Sequence, residues 1–464
     1  MEGFLILGGF FVFAGLMIAR VLPTILALPL MAAWICFVVR LPLVVYLNGI
    51  LLGGAMKLAS AMTVVIFGAM FARVIMQTGI SDTIIKKAAE LAGDRPRSIA
   101  LVMTAATAFV FLGMSGLGAV IMVGSITIPI MLSAGIPPLT ACVLLLFGMQ
   151  TGLLANVANY GTYIGIFGGA VPAEYYLPAA GISALMTLVY IFRQVSQPPA
   201  EEKSSTSWLG ILRTVLTGLL LIPVQLVQGI FHRTAEAPGR SSLLKRKRQI
   251  PSAALLAPVL PLVTVYVFKL LVGFGKAENG MVDPVAASVL GFVLASAYAV
   301  LLTQPSRLIN IFSGAVIEGI RDVAGVLFLF MGIGMLVAAV MHPAVSAVLN
   351  PVLASIVPAG RWSLFLFFAL LAPTALYRGP LNMFGMGVGI AVLLVSLDIL
   401  PLTVICGTFI AVQYIQGVSD PTNSHNTWIS GYANVDTSLI LKETLPYSWA
   451  MCICMLLYVA LLKW

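Results

Sequence analysis

Two ionisable residues sit in apolar surroundings where the chain also carries helix-breaking residues. Arg378 lies in Tyr377-Arg-Gly-Pro-Leu-Asn382, and Asp420 lies in Ser419-Asp-Pro-Thr-Asn-Ser424. A charge at bilayer depth costs about 2.5–3.5 kcal/mol on insertion scales, so a functional role is the default for each. The guanidinium fork of Arg378 can take a carboxylate in bidentate fashion. Asp420 can hold an exchangeable proton or a cation. The competing expectation is a structural Arg378–Asp420 pair. Neutral donors and acceptors gather at the same places and at a matching break in the first half, Asn156-Val-Ala-Asn-Tyr-Gly161. The candidate substrate-binding set is therefore Ser115, Gly116, Asn156, Asn159, Thr162, Arg378, Gly379, Asn382, Thr422 and Asn423. The candidate ion-coupling set is Asp420 with Ser419 and Asn426.

Other chemistry finds little footing. His232, His342 and His425 do not cluster, so no zinc site is expected. Cys36, Cys142, Cys406, Cys452 and Cys454 all fall in apolar runs and are expected to be small core residues, with no metal or redox spacing. No nucleophile–base set and no cofactor loop is present, and the expectation is a protein without enzymatic activity or a cofactor.

The elements that must position these residues are membrane helices. Of 464 residues 60% are hydrophobic and only 9% charged, and the mean hydropathy is +1.07. A soluble domain carries about 25% charged residues, so lipid must be the solvent over most of this surface. Backbone polar groups must then pair within helices or a closed barrel. Runs such as Leu255–Phe268 and Val289–Leu302 are continuous rather than alternating, which excludes the barrel. Gly3–Ala19 lacks a basic n-region and is expected to be a retained first span.

Net charge is +9, concentrated in two places. Residues 193–248 contain Lys245-Arg-Lys-Arg248, and 81–97 carry Lys86, Lys87, Arg95 and Arg97. The positive-inside rule puts both on the cytoplasmic side, with a topogenic or lipid-headgroup role and no nucleic-acid partner. Residues 1–193 and 250–464 read as two repeats, joined by a cytoplasmic or interfacial linker over 194–249, in which Trp208–Phe231 is expected to lie at the interface. Lys57, Arg73, Glu318, Arg321 and Asp322 are expected near segment ends, where long side chains snorkel.

An offset of 264 positions aligns Arg97 with Arg361, Pro137 with Pro401, Cys142 with Cys406, Asn156 with Asp420 and Asn159 with Asn423. Hairpin tip, proline turn and helix break recur in the same order at that offset. The charged loop 81–97 has as its counterpart 343–361, where Arg361 is the one Lys, Arg, Asp or Glu, so the repeats are expected to face opposite ways. The fold expected is all-α and polytopic, with two inverted repeats, re-entrant hairpins interrupted at Gly113–Gly118 and Tyr377–Asn382, and broken transmembrane helices. Inverted repeats with broken helices near the midplane are a mark of secondary transporters.

The segments Met76–Arg97, Ser115–Pro138 and Thr151–Tyr163, with their repeats, resemble the ion transporter superfamily, most of all its gluconate, lactate, citrate and C4-dicarboxylate carriers. The resemblance rests on architecture and Gly/Pro placement over nearly the whole chain outside the linker. It implies a scaffold, a mobile transport domain, elevator-like movement, a homodimer in a bacterial inner membrane, and organic anions coupled to H⁺ or Na⁺. The Ser-Asn-Thr tips of sodium-coupled dicarboxylate symporters are replaced here by Ser115-Gly-Leu117 and Arg378-Gly-Pro380. A cation/proton antiporter of the same architecture is the alternative.

Overall fold

The computed structural model describes residues 2–18, 21–167, 170–195, 250–273, 281–354, 358, 360–384, 387–397 and 400–464. The Lys245–Arg248 cluster, Trp208–Phe231 and nearly all of the linker lie outside them. The described chain is a polytopic membrane protein built of helices, seven of them long and apolar enough to span a bilayer.

The first half runs α1 (Glu2–Ile18), α2 (Thr24–Val38), α3 (Leu43–Thr78), α4 (Ile80–Ala92), α5 (Pro96–Phe111), α6 (Leu117–Ser133), α7 (Pro138–Ala155), α8 (Gly161–Phe167) and α9 (Tyr176–Gln194). The second repeats the series as α10 (Ser252–Leu271), α11 (Pro284–Thr303), α12 (Pro305–Val340), α13 (Pro343–Ala354), α14 (Arg361–Leu371), α15 (Gly387–Leu397), α16 (Leu402–Val418), α17 (Ser424–Ala433) and α18 (Thr437–Leu462). The starts of α7 and α16 differ by 264 positions, and each follows a proline with extended backbone, Pro137 or Pro401. Proline fits there because the first turn needs no N–H from it. The stretches 81–97 and 343–361, expected as loops, are largely the helices α4 and α13.

The inversion is visible where α3 and α12 cross. Gly54 packs against Gly334 and Met335, whereas Gly319 packs against Ala69 and Met70. Contacts that move toward the C-terminus on one helix move toward the N-terminus on the other, so these equivalent helices run antiparallel. The close approach needs glycine: a Cβ on Gly334 would fall 2.1 Å from the Gly54 carbonyl oxygen. The rest of this layer is exchanged between repeats, with α2 packed on α12 and α11 packed on α3. Gly68 meets Phe292 just as Gly332 meets Leu28, and the offset of 264 positions relates Gly68 to Gly332 and Leu28 to Phe292. A second layer holds the hairpins and broken helices, with α5 and α9 on α7 and α18 on α16.

At 36 residues each, α3 and α12 are longer than a bilayer requires. At 1.5 Å per residue they measure about 54 Å against a hydrocarbon core of about 30 Å. They must tilt, or run partly along the interface. The first is bent within its length by a π-helical turn at Tyr46–Leu52 and a kink at Leu58.

This length corrects the expectation that Lys57, Glu318, Arg321 and Asp322 sit near segment ends, whereas Arg73 does lie in the last two turns of α3. Glu318 and Asp322 lie well inside α12, where Arg73 of α3 forms an ion pair with Asp322 and reaches Glu318 at 3.3 Å. Gln77 donates to the same Glu318 oxygen at 3.1 Å. Lys57 is also within its helix, with Nζ 3.6 Å from the Met341 sulfur. Four of the cysteines are buried, as expected of core residues, but Cys454 faces outward.

Candidate functional site

The first hairpin consists of α5 and α6, 16 and 17 residues long. At about 24–26 Å each, neither limb crosses the bilayer core alone. Its tip turns through Gly116, whose φ of +88° is a left-handed conformation open to glycine. Gly116 is exposed and Ser115 half-buried. The following helix starts beside α3, near Met76 and the Arg73 guanidinium.

Asn156, 1% exposed, ties this tip to the break after α7. Its Nδ2 donates to the carbonyls of Phe111 (3.0 Å) and Met114 (3.1 Å), and its Oδ1 accepts from the N–H of Ala158 at 2.9 Å. A short 3₁₀ turn, Val157–Tyr160, then leads into α8. The Nδ2 of Asn159 is buried without a hydrogen-bond partner among the described residues. The Thr162 side chain lies outside the described residues.

The second half performs the same task with the polarity reversed. Asp420, fully buried, occupies the place of Asn156. Its Oδ2 accepts from the backbone N–H of Arg378 (3.1 Å) and from Asn382 Nδ2 (3.3 Å). Its Oδ1 accepts from the N–H (2.9 Å) and hydroxyl (2.7 Å) of Thr422. Asn382 also donates to the Ala375 carbonyl at 3.0 Å and accepts from Phe384. Ala375 and Arg378 are the equivalents of Phe111 and Met114. Where the first tip offers carbonyls, an amide meets them; where the second offers an N–H, a carboxylate does.

That N–H is presented by an uncommon backbone. Tyr377 and Arg378 both have φ of 56°, left-handed for non-glycine residues. Gly379 follows, so close to the preceding turn that a Cβ would stand 2.1 Å from the Thr374 carbonyl oxygen. The expected structural pair thus exists, but through the Arg378 backbone. Its side chain is exposed, and no described residue forms an ion pair or hydrogen bond with the guanidinium.

The last carbonyls of α16 are capped by the residues after the break. Asn423 Nδ2 reaches Gln416 O at 2.6 Å, His425 Nε2 lies 2.9 Å from Gly417 O, and Asn426 Nδ2 reaches Val418 O at 2.8 Å and Asp420 O at 2.9 Å. Ser419 shares a 2.8 Å hydrogen bond with Ser448 of α18. Buried tyrosines hold the bundle around this helix: Tyr163 donates to Phe409 O, Tyr175 to Thr403 O, and Tyr414 of α16 itself to Ala179 O.

Hence Arg378, Gly379, Asn382, Ser419, Asp420, Thr422, Asn423 and Asn426 form one connected group. Asn156 and Asn159 form a second with the first hairpin. Three residues not expected from the sequence belong here as well, Gln150 of α7 and Gln413 and Gln416 of α16. All are at least 96% buried, and each has an amide atom without a partner among the described residues. Their signal was a glutamine in an otherwise apolar helix within two turns of a break.

No protein-family model and no curated protein matches this chain. In structure it is similar to the Alcanivorax borkumensis YdaH transporter, whose topology is described as unusual. The TM-score is 0.55 at 14% identity, over 89% of this chain and 87% of that one. The likeness is one of fold.

Proposed function

We propose that the chain is a secondary active transporter of small organic anions, carboxylates in particular, coupled to H⁺ or Na⁺ and moving in elevator fashion. The observation that carries this is the Arg378 guanidinium. It hangs from a hairpin tip anchored at Asp420, with no internal carboxylate among the described residues to neutralise it. A cation so placed is suited to an anionic ligand, and its planar fork favours a carboxylate. The exchanged layer around α3 and α12 would serve as scaffold and, in a homodimer, as the face between copies, while the layer of hairpins and broken helices would carry the cargo. A similarity of fold to a transporter supports the general role. The superfamily resemblance and a place in a bacterial inner membrane belong to the same reading.

A cation/proton antiporter would instead put the chemistry on Asp420. The four donors already directed at its oxygens favour the anion carrier, since a cation could bind there only at the expense of one of them. Purified protein in proteoliposomes, offered a panel of labelled carboxylates under imposed proton or sodium gradients, tests the proposal. Saturable, gradient-driven uptake of a carboxylate is expected. Exchange of cations with no carboxylate movement would establish the antiporter in its place.

A further inference from the structure

Gln416 of α16 precedes Gly417, against which Gln150 of α7 packs, and neither amide has been given a role so far. Gln416 is 3% exposed. Its Oε1 accepts the N–H of Met383, at the far end of the second hairpin tip, at 2.7 Å. That bond fixes the amide orientation, so the free end is the Nε2 donor, which has no partner among the described residues. Gln150 is 2% exposed and lies flat on the next residue, Gly417. A Cβ on Gly417 would be 2.3 Å from its Oε1, 3.0 Å from Cδ and 3.2 Å from Nε2. The Gln150 Nε2 likewise has no partner.

The local backbone acceptors are already occupied, Gln416 O by Asn423 and Gly417 O by His425. The carboxylate of Asp420 is saturated by its four donors. The two Nε2 donors are therefore free, and the unpartnered acceptors of the same region, Gln413 Oε1 and Asn426 Oδ1, form no hydrogen bond with them. A buried amide without a partner is unfavourable, and native proteins retain one where a ligand or ordered solvent completes it. We propose that the Nε2 groups of Gln416 and Gln150 form a subsite that receives a carboxylate oxygen of the transported anion. This rests on the anion-carrier reading and adds two neutral contacts to the charge of Arg378. The tip that carries Arg378 is held to the same helix end by Met383, so ligand capture and hairpin position share one side chain.

Gln416→Glu is the informative variant. Glutamate can still accept the Met383 N–H, so the tip anchor survives while the donor is replaced by an acceptor. Gln150→Leu removes the second donor with little change in volume. Uptake would be measured in proteoliposomes with acetate, succinate and citrate, and thermal unfolding in detergent with and without each. Wild type is expected to take up and be stabilised by at least one of the three. For that anion, each variant should raise KM at least tenfold, and Gln150→Leu should leave the ligand-free unfolding temperature equal to or above wild type. Wild-type KM in both variants would overturn the subsite and leave the carrier reading standing. Lower stability with unchanged KM would make the amides structural and overturn it too. If wild type neither transports nor is stabilised by any of the carboxylates, both readings fall together.

Discussion

Asn156 donates to the carbonyls of Phe111 and Met114, and Asp420, at the equivalent position of the second repeat, accepts the N–H of Arg378, the equivalent of Met114. One position thus fastens a hairpin tip to a helix break in both halves, and the residue type follows the polarity of what the tip presents. The i+2 contacts match too, Ala158 N–H to Asn156 Oδ1 and Thr422 N–H to Asp420 Oδ1.

The two staples should therefore respond differently to the same chemical exchange. Asp420→Asn keeps one acceptor oxygen but turns an NH₂ toward a donor, and should destabilise by about 1–3 kcal/mol. Asn156→Asp sets a buried carboxylate against two carbonyls and should cost about 3–5 kcal/mol, as an uncompensated charge does. Thermal unfolding in detergent measures both. A larger loss for Asp420→Asn would show that the exchange of polarity is not what these positions require.

Removal of the Arg378 charge should leave the fold intact, because the hairpin is held by its backbone N–H rather than its side chain. Arg378→Gln is expected to lower carboxylate uptake at least a hundredfold with an unfolding temperature close to wild type. Arg378→Lys should recover part of the loss, since a point charge remains without the fork. Uptake by Arg378→Gln at the wild-type rate would exclude the guanidinium from anion recognition.

Arg73 and Asp322 join the two long helices beside the first hairpin tip. Both are partly exposed, so the net contribution of the pair is modest. Single changes Arg73→Met and Asp322→Asn should be non-additive, with a coupling energy of about 0.5–3 kcal/mol in a double-mutant cycle. Additive effects would mean that the helices are held by their glycine contacts alone.

Labelling from either side should place Asp94, before α5, and Gly360, before α14, on opposite faces of the membrane. Cysteines introduced at the two sites and treated with an impermeant maleimide give the answer directly. Reaction of both from one side would contradict the antiparallel relation of α3 and α12.

Much of this was legible in the sequence because membrane helices leave plain marks. Gly/Pro clusters within apolar runs located both hairpins and both breaks, and Pro137 and Pro401 fixed the register between repeats. What escaped depended on contacts between distant segments. Glu318 and Asp322 looked like snorkelling residues until Arg73, some 245–249 positions away, proved to be their partner. The competing expectation for Arg378 and Asp420 was a pair made through charge, but the left-handed turn at Tyr377 and Arg378 directs the N–H to the carboxylate instead. For Gln150, Gln413 and Gln416 the local signal, an amide in an apolar helix near a break, is ambiguous, since it reads the same whether the amide faces a neighbour or a ligand.

The exchange of helices between the repeats bears on how the chain is made. The glycine face of α3 is covered by α12, and Phe292, the neighbour of Gly68, arrives with α11. When the ribosome has finished the first half, α2 and α3 lack the partners that complete their packing. That layer must wait in the membrane for its partners, and its native packing is completed only after residue 340 has been inserted, whereas α5, α7 and α9 can already pack on one another.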